Sequence, residues 1–246
     1  MYIDVHCHLD LLKDIDKVIE RARKRNVGII IANGINFDTN RKVLALAKKF
    51  DIVKAALGIY PIDALKMSVK GIDEEIAFIR RNREKIIAIG EVGLDFKESE
   101  ERKKQEEILS KFVRLSKEIN KPIIVHSRRA EEKCVEILER EMAKKVVMHC
   151  FCGSKKLIKR IVENSWMLSV PTNVNYSTQF QELVKEVTIH NLLCETDAPF
   201  LHPLRQRVNS PENVVVSYTK IGEIKDLKLE EVEKRIEGNF KKLFEV

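Results

Sequence analysis

With 246 residues, 44% of them hydrophobic, the chain can build one sizeable core, and its 34% charged fraction marks a globular sequence, not a fibrous or disordered one. No run of about 18 apolar residues is present, which argues against a membrane-spanning helix. The first residues lack the basic and apolar regions of a secretory leader, so a cytoplasmic location is expected. The net charge of +7 favours polyanionic partners, although Lys and Glu interleave as they do on surfaces rich in ion pairs.

Along the chain, short β-rich apolar runs alternate with longer stretches of helical period. The pattern predicts strands at roughly 2–8, 27–33, 52–58, 86–91, 122–126, 145–149, 166–170 and 191–196. Between them lie amphipathic segments such as "KDIDKVIERARKR", "SEERKKQEEILSKFVRLSKEIN" and "RRAEEKCVEILEREMAKK", and a last helix is expected in "LEEVEKRIEGNFKKLF". Strands alternating with helices give parallel βαβ units, and eight of them predict an α/β fold of the (β/α)8 TIM-barrel type over residues 1–246 as one domain. An open doubly wound sheet is the alternative. "GEVGLD" lacks the third glycine of a dinucleotide-binding turn.

The polar residues at the strand ends are the informative ones. "MYIDVHCHLD" places Asp4, His6 and His8 two apart, hence on one face of a strand, near the end where barrel enzymes build their sites. Four later strands also end on titratable side chains: Glu91 in "IIAIGEVGLD", His126 in "PIIVHSR", His149 in "VVMHCF", and Glu195 with Asp197 in "LLCETDAP". Burying so many such groups in one mouth is costly unless cations compensate them. The expected ligands are His6, His8, Glu91, His126, His149 and Asp197, which exceed the four of a closed zinc site and so point to two divalent ions, with Glu91 as the bridge. Mg²⁺, Mn²⁺ and Zn²⁺ are the candidate metals, and hydrolysis is the reaction class.

Other residues carry weaker signals. Asp4 either fixes the tautomer of a ligating histidine or caps the strand end. Arg128, after "HS", and Arg207, in the long loop from Ala198 to Ser210, are expected either to meet phosphate or to form surface ion pairs. His190 and His202 are read as surface or loop-packing residues. The five cysteines are odd in number and scattered, which predicts reduced, buried thiols.

Taken together, "DVHCHLD", "GEVGLD", "KPIIVHSR", "HCFCGS", "ETDAPFL", the "R-x-N-S-P" at Arg207 to Pro211 and "GNFKKLF" resemble, in order, the TatD family of metal-dependent deoxyribonucleases within the amidohydrolase-like group. The resemblance implies a distorted barrel in which His6, His8, Glu91 and Asp197 hold one ion and Glu91, His126 and His149 the other. Asp197 would also take a proton from the attacking water. The family commonly has histidine in a "G-x-H-P" stretch where this chain reads "GIYP"; Tyr60 there can offer a phenol to phosphate, a ring to a base, or packing. DNA is the expected substrate, cleaved from an end. The alternatives are a small-molecule or aminoacyl-tRNA amidohydrolase or esterase on the same barrel, and a non-catalytic metal-stabilised nucleic-acid binder.

Overall fold

The computed structural model describes residues 1–245. Eight strands, all paired in parallel, form one sheet in sequence order: β1 (Tyr2–Cys7), β2 (Val27–Asn33), β3 (Val53–Leu57), β4 (Ile86–Asp95), β5 (Ile123–Arg128), β6 (Val146–Met148), β7 (Met167–Pro171) and β8 (Leu192–Glu195). The sheet curls until β8 meets β1. That seam is joined by the Cys7–Ala198 bridge, by His8 N–H to the Ala198 carbonyl at 2.8 Å, and by Asp197 N–H to the His6 carbonyl at 2.9 Å. The result is a nearly closed (β/α)8 barrel, as the alternation of elements predicts.

Helices ring the outside: α1 (Ile15–Lys24), α2 (Phe37–Lys49), α3 (Pro61–Leu65), α4 (Val69–Arg81), α5 (Arg102–Glu118), α6 (Glu131–Arg140), α7 (Lys155–Glu163), α8 (Thr178–Glu186), α9 (Val215–Lys225) and α10 (Leu229–Phe244). Local chemistry sets several of their starts. Asn36 caps α2 by accepting the Thr39 N–H, with Thr39 returning the contact to the Asn36 N–H, and Ser68 caps α4 by accepting from Gly71. Pro61 opens α3, where its missing N–H costs nothing. The core lies between strands and helices; α10 contributes Val232, Ile236, Phe240 and Leu243, the face its periodicity assigns.

One strand is longer than its sequence suggests. β4 continues through Gly93 to Asp95, four residues past Glu91. A Cβ on Gly93 would lie 2.0 Å from the His126 carbonyl oxygen, so glycine is what lets β4 and β5 run this close together. Glu91 and His126 are thereby held on neighbouring strands, and Asp95 reaches the rim.

Candidate metal centre

The first cluster is assembled across the seam. β1 supplies His6 and His8, β4 supplies Glu91, and the turn after β8 supplies Asp197. His6 Nε2 and His8 Nε2 are 3.3 Å apart. Glu91 Oε2 lies 3.5 and 3.3 Å from those two nitrogens, and Asp197 Oδ1 lies 3.6 and 3.5 Å from them. Four ligands about 2.05 Å from a central zinc-sized ion would sit about 3.4 Å from one another. Five of the separations lie near that value; His6, His8 and Asp197 form one group able to hold an ion, Glu91 Oε2 borders it, and these His/carboxylate donors suit a divalent cation. All four residues except Asp197 are buried, and Asp197 faces the cavity with its side chain 14% exposed.

The second cluster uses the other oxygen of the same carboxylate. Glu91 Oε1 lies 2.9 Å from His126 Nδ1 and 3.9 Å from His149 Nε2. These three residues form a second group able to hold an ion, and Glu91 spans both. Three protein donors leave a coordination position for water or substrate, the pattern of a catalytic site.

Carboxylates stand behind two of the imidazoles. Glu195 Oε2 accepts from Ser169 Oγ at 2.6 Å and meets His149 Nδ1 at 2.9 Å, and Glu195 Oε1 accepts the Cys150 N–H at 3.1 Å. Asp95 Oδ2 meets His126 Nε2 at 3.2 Å and accepts the Tyr60 hydroxyl at 2.6 Å. Sequence reasoning places Glu195 at a strand end without a role and misses Asp95. Asp4, expected beside an imidazole, accepts instead from Thr196 N–H at 2.9 Å, Thr196 Oγ at 2.5 Å and His6 N–H at 3.2 Å. The reason is position: two residues before His6, Asp4 sits one layer deeper and bonds backbone across the seam. Burial pushes its pKa up to about 8 against those hydrogen bonds.

The protein's own protons follow the same geometry. Burial raises the carboxyl of Glu91, but hydrogen bonds from His126, His6 and His8 override it and hold the pKa well below the usual range. Asp197 is likewise lowered, burial being outweighed by His8 and by the neighbouring His149 and His6. Burial lowers His6, with His149 adding to it. At His8 and His126 burial is overridden by Asp197 and Glu91, and by Asp95 and Glu91 respectively, so both are raised. Glu91 and Asp197 are therefore ionised, and a cation entering the site displaces imidazole protons.

A cavity of about 580 Å³ opens over these residues, with His8, Glu91, His126, His149 and Asp197 in its wall together with Tyr60 and Arg128. Arg128 is half-exposed there and pairs with Glu98 at 3.2 Å. Tyr60 faces the cavity, but its hydroxyl is committed to Asp95, and burial with that contact pushes its pKa up. Arg207 is exposed on the loop after β8, outside the cavity wall. His190 is exposed, and His202 packs in its loop by accepting the Leu204 N–H at 3.0 Å. All five cysteines are free; Cys7, Cys134 and Cys194 are buried as expected, whereas Cys150 is half-buried and Cys152 exposed at the cavity edge.

Comparison with known proteins places this arrangement in a family. The model of the TatD related DNase family matches residues 3–245. The metal-dependent hydrolase MJ1582 of Methanocaldococcus jannaschii is 37% identical over 246 residues, covering 99% of this chain and 96% of the relative. The human protein named deoxyribonuclease TATDN3 is 32% identical, covering 98% of this chain and 94% of its own. The crystal structure of YJJV, a TatD homolog from Escherichia coli, superposes with a TM-score of 0.93 at 28% identity, covering 100% of this chain and 98% of that one. No helix among the described residues is long and apolar enough to cross a membrane. With a barrel, a cavity floored by histidines and carboxylates, and a family match over nearly its whole length, the chain belongs to the TatD family of metal-dependent hydrolases.

Proposed function

We propose that the protein is a deoxyribonuclease that uses two divalent ions to cleave DNA phosphodiesters from a strand end. The observation that carries this reading is the division of Glu91: one oxygen faces His6 and His8, the other His126 and His149. In this assignment His6, His8, Glu91 and Asp197 hold one ion, and Glu91, His126 and His149 the other. Two such ions supply Lewis-acid polarisation of a phosphoryl oxygen and a water acidified to act near neutral pH.

The chain's own residues do the rest. Asp197 is the most open of the clustered carboxylates, and its lowered pKa keeps it ionised, so the oxygen it does not turn toward His6 and His8 can accept the proton of the attacking water. Glu195 and Asp95 keep the two imidazoles in place by occupying their far nitrogens. Arg128, on the cavity wall, can exchange its exposed Glu98 contact for a phosphate bonded in bidentate fashion. The net charge of +7 favours a polyanionic substrate and makes affinity fall with salt.

The test is cleavage of end-labelled single- and double-stranded DNA by wild type and Glu91→Ala, with Mg²⁺, Mn²⁺ or Zn²⁺ and a chelator control. Stepwise shortening that requires metal and is lost in the variant is the expected result. Folded, metal-loaded protein that leaves DNA intact would overturn it and redirect attention to ester, amide and aminoacyl-tRNA substrates.

A further inference from the structure

Polar ligands make up only part of the cavity. Its remaining wall includes Leu11, Ile35, Phe200 and Leu201, none of which can ligate an ion or polarise a substrate. Leu11 and Phe200 are 46% and 53% exposed, an unusual state for large apolar side chains beside an active centre. They are not isolated. Tyr176 follows β7; Phe200, Leu204 and Val208 follow β8; Leu11 follows β1; and Phe37 follows β2, all of them exposed. These four strands are consecutive around the barrel once the seam is closed, so apolar exposure collects on one half of the mouth. Tyr60, Arg128 and Glu131 occupy the other half.

From this asymmetry we infer a subsite for a single nucleobase, stacked on Phe200 against Leu11, beside the metal centre. The inference rests on the deoxyribonuclease reading and specifies which part of the substrate the apolar wall takes. Phe200 comes three residues after Asp197, and its ring centroid lies 6.1 Å from that of His8 at an interplanar angle of 71°. A base lying on the ring has its phosphate one sugar away, in the direction of the ligand cluster. Arg205 and Arg207 lie on the same loop; Arg205 stacks on Tyr176, and Arg207 forms no ion pair among the described residues.

The shelf is held before substrate arrives. The Phe200 N–H donates to the Asp197 carbonyl at 2.8 Å, and Thr172 Oγ donates to the Leu201 carbonyl at 2.7 Å. Asn175 donates to the Pro203 carbonyl at 3.1 Å, and buried Asn209 donates to the Thr196 carbonyl at 2.8 Å while its N–H reaches the Pro199 carbonyl. With the backbone fixed, stacking does not have to order the loop. One exposed ring with an aliphatic partner fits one base, not an extended run. Because none of the four shelf side chains offers a hydrogen bond, sequence preference is expected to be weak, with purines favoured by their larger faces.

The experiment compares short single-stranded DNAs whose digested end carries either a normal base or an abasic residue, with metal-loaded wild type, Phe200→Ala and Phe200→Trp. Stacking of this kind corresponds to roughly 5- to 150-fold per base. Wild type should prefer the base-bearing end by about tenfold in kcat/KM, Phe200→Ala should bring that ratio near unity, and Phe200→Trp should keep it. A second readout needs no turnover: 2-aminopurine at the DNA end should be quenched by metal-free wild type and far less by Phe200→Ala. DNA cleaved with equal efficiency at both ends by wild type, or an unchanged ratio in Phe200→Ala, would overturn the subsite while leaving the nuclease reading intact. If metal-loaded protein leaves DNA uncut, that reading fails, and the quenching experiment alone decides whether the shelf binds a base.

Discussion

Glu195 grips His149 from the side away from Glu91: its Oε2 lies 2.9 Å from Nδ1, while Nε2 faces Glu91 at 3.9 Å. A carboxylate behind a ligating imidazole fixes the tautomer, and its loss typically costs 10- to 100-fold in metal affinity. Glu195→Gln is expected to weaken binding by about that factor while the fold persists, read by competition with a chromophoric chelator. Unchanged affinity would remove His149 from the ligand set.

The same pair makes the metal-free protein sensitive to alkali. Burial pulls the His149 pKa down, but the Glu195 carboxylate overrides it and sets it at about 9. An unfolded imidazole titrates at about 6.5, so between these values the native state keeps a proton that the unfolded chain has lost. Stability from this pair is full below about pH 6.5 and falls as pH rises towards 9, on the order of 3 kcal/mol in all. Urea midpoints of chelator-treated wild type should drop across that window and drop less in Glu195→Gln. Parallel profiles for the two proteins would count against the coupling.

Metal should stabilise the fold as well as serve chemistry, because the donors converge only in the native state. Binding at 1,000 times Kd adds about 4 kcal/mol, which for a chain of this size raises Tm by roughly 8–16 °C. Calorimetry with and without chelator should show that shift in wild type, and Glu91→Ala should lose most of it. An equal shift in the variant would mean that metal binds elsewhere.

Tyr60 and Asp95 form a graded pair. Tyr60→Phe removes one hydroxyl donor and should cost about 1 kcal/mol. Asp95 is fully buried and accepts from Tyr60, Lys97 N–H and Glu98 N–H besides meeting His126. Asp95→Asn should therefore cost about 2–3 kcal/mol and weaken metal binding through His126. Thermal unfolding and chelator competition separate the two effects. A larger loss in Tyr60→Phe than in Asp95→Asn would show that the phenol, not the carboxylate, holds this corner of the site.

Gly93→Ala tests the strand spacing. Its new Cβ would meet the His126 carbonyl at 2.0 Å, with backbone and not a flexible side chain in the way. A loss of roughly 3 kcal/mol or more is expected in denaturant titration. A neutral result would show that β4 and β5 can separate at this point without cost.

Much of this molecule was legible in its sequence, for physical reasons. Each strand is a short, largely buried apolar run, and most helices, though not α9, carry a clear apolar stripe, so the alternation of β1 to β8 with helices could be read directly. The cluster His6, His8, Glu91, His126, His149 and Asp197 was visible because several strands end this way at once, and burying so many titratable groups in one mouth is costly unless cations compensate them. Asp95 was hidden, since the apolar run reads as ending at Glu91, and only Gly93, which admits the β5 backbone, lets the strand continue to Asp95. Asp4 bonds Thr196 and the His6 N–H, and Glu195, which had no role in the sequence reading, backs His149, because depth along a barrel strand depends on stagger, which spacing alone does not carry. The exposure of Leu11 and Phe200 is a tertiary property with no local signature.

The seam gives this site a timetable. His6 and His8 are among the first residues to be synthesised, whereas Asp197 joins them only once β8 has docked on β1. A nascent chain halted before β8 carries the imidazoles but lacks the carboxylate that completes their cage. The first cluster therefore forms only after nearly the whole barrel has been made. An ion bound there would rivet the opening and closing strands together, and metal occupancy would then report that the circle of strands has been completed.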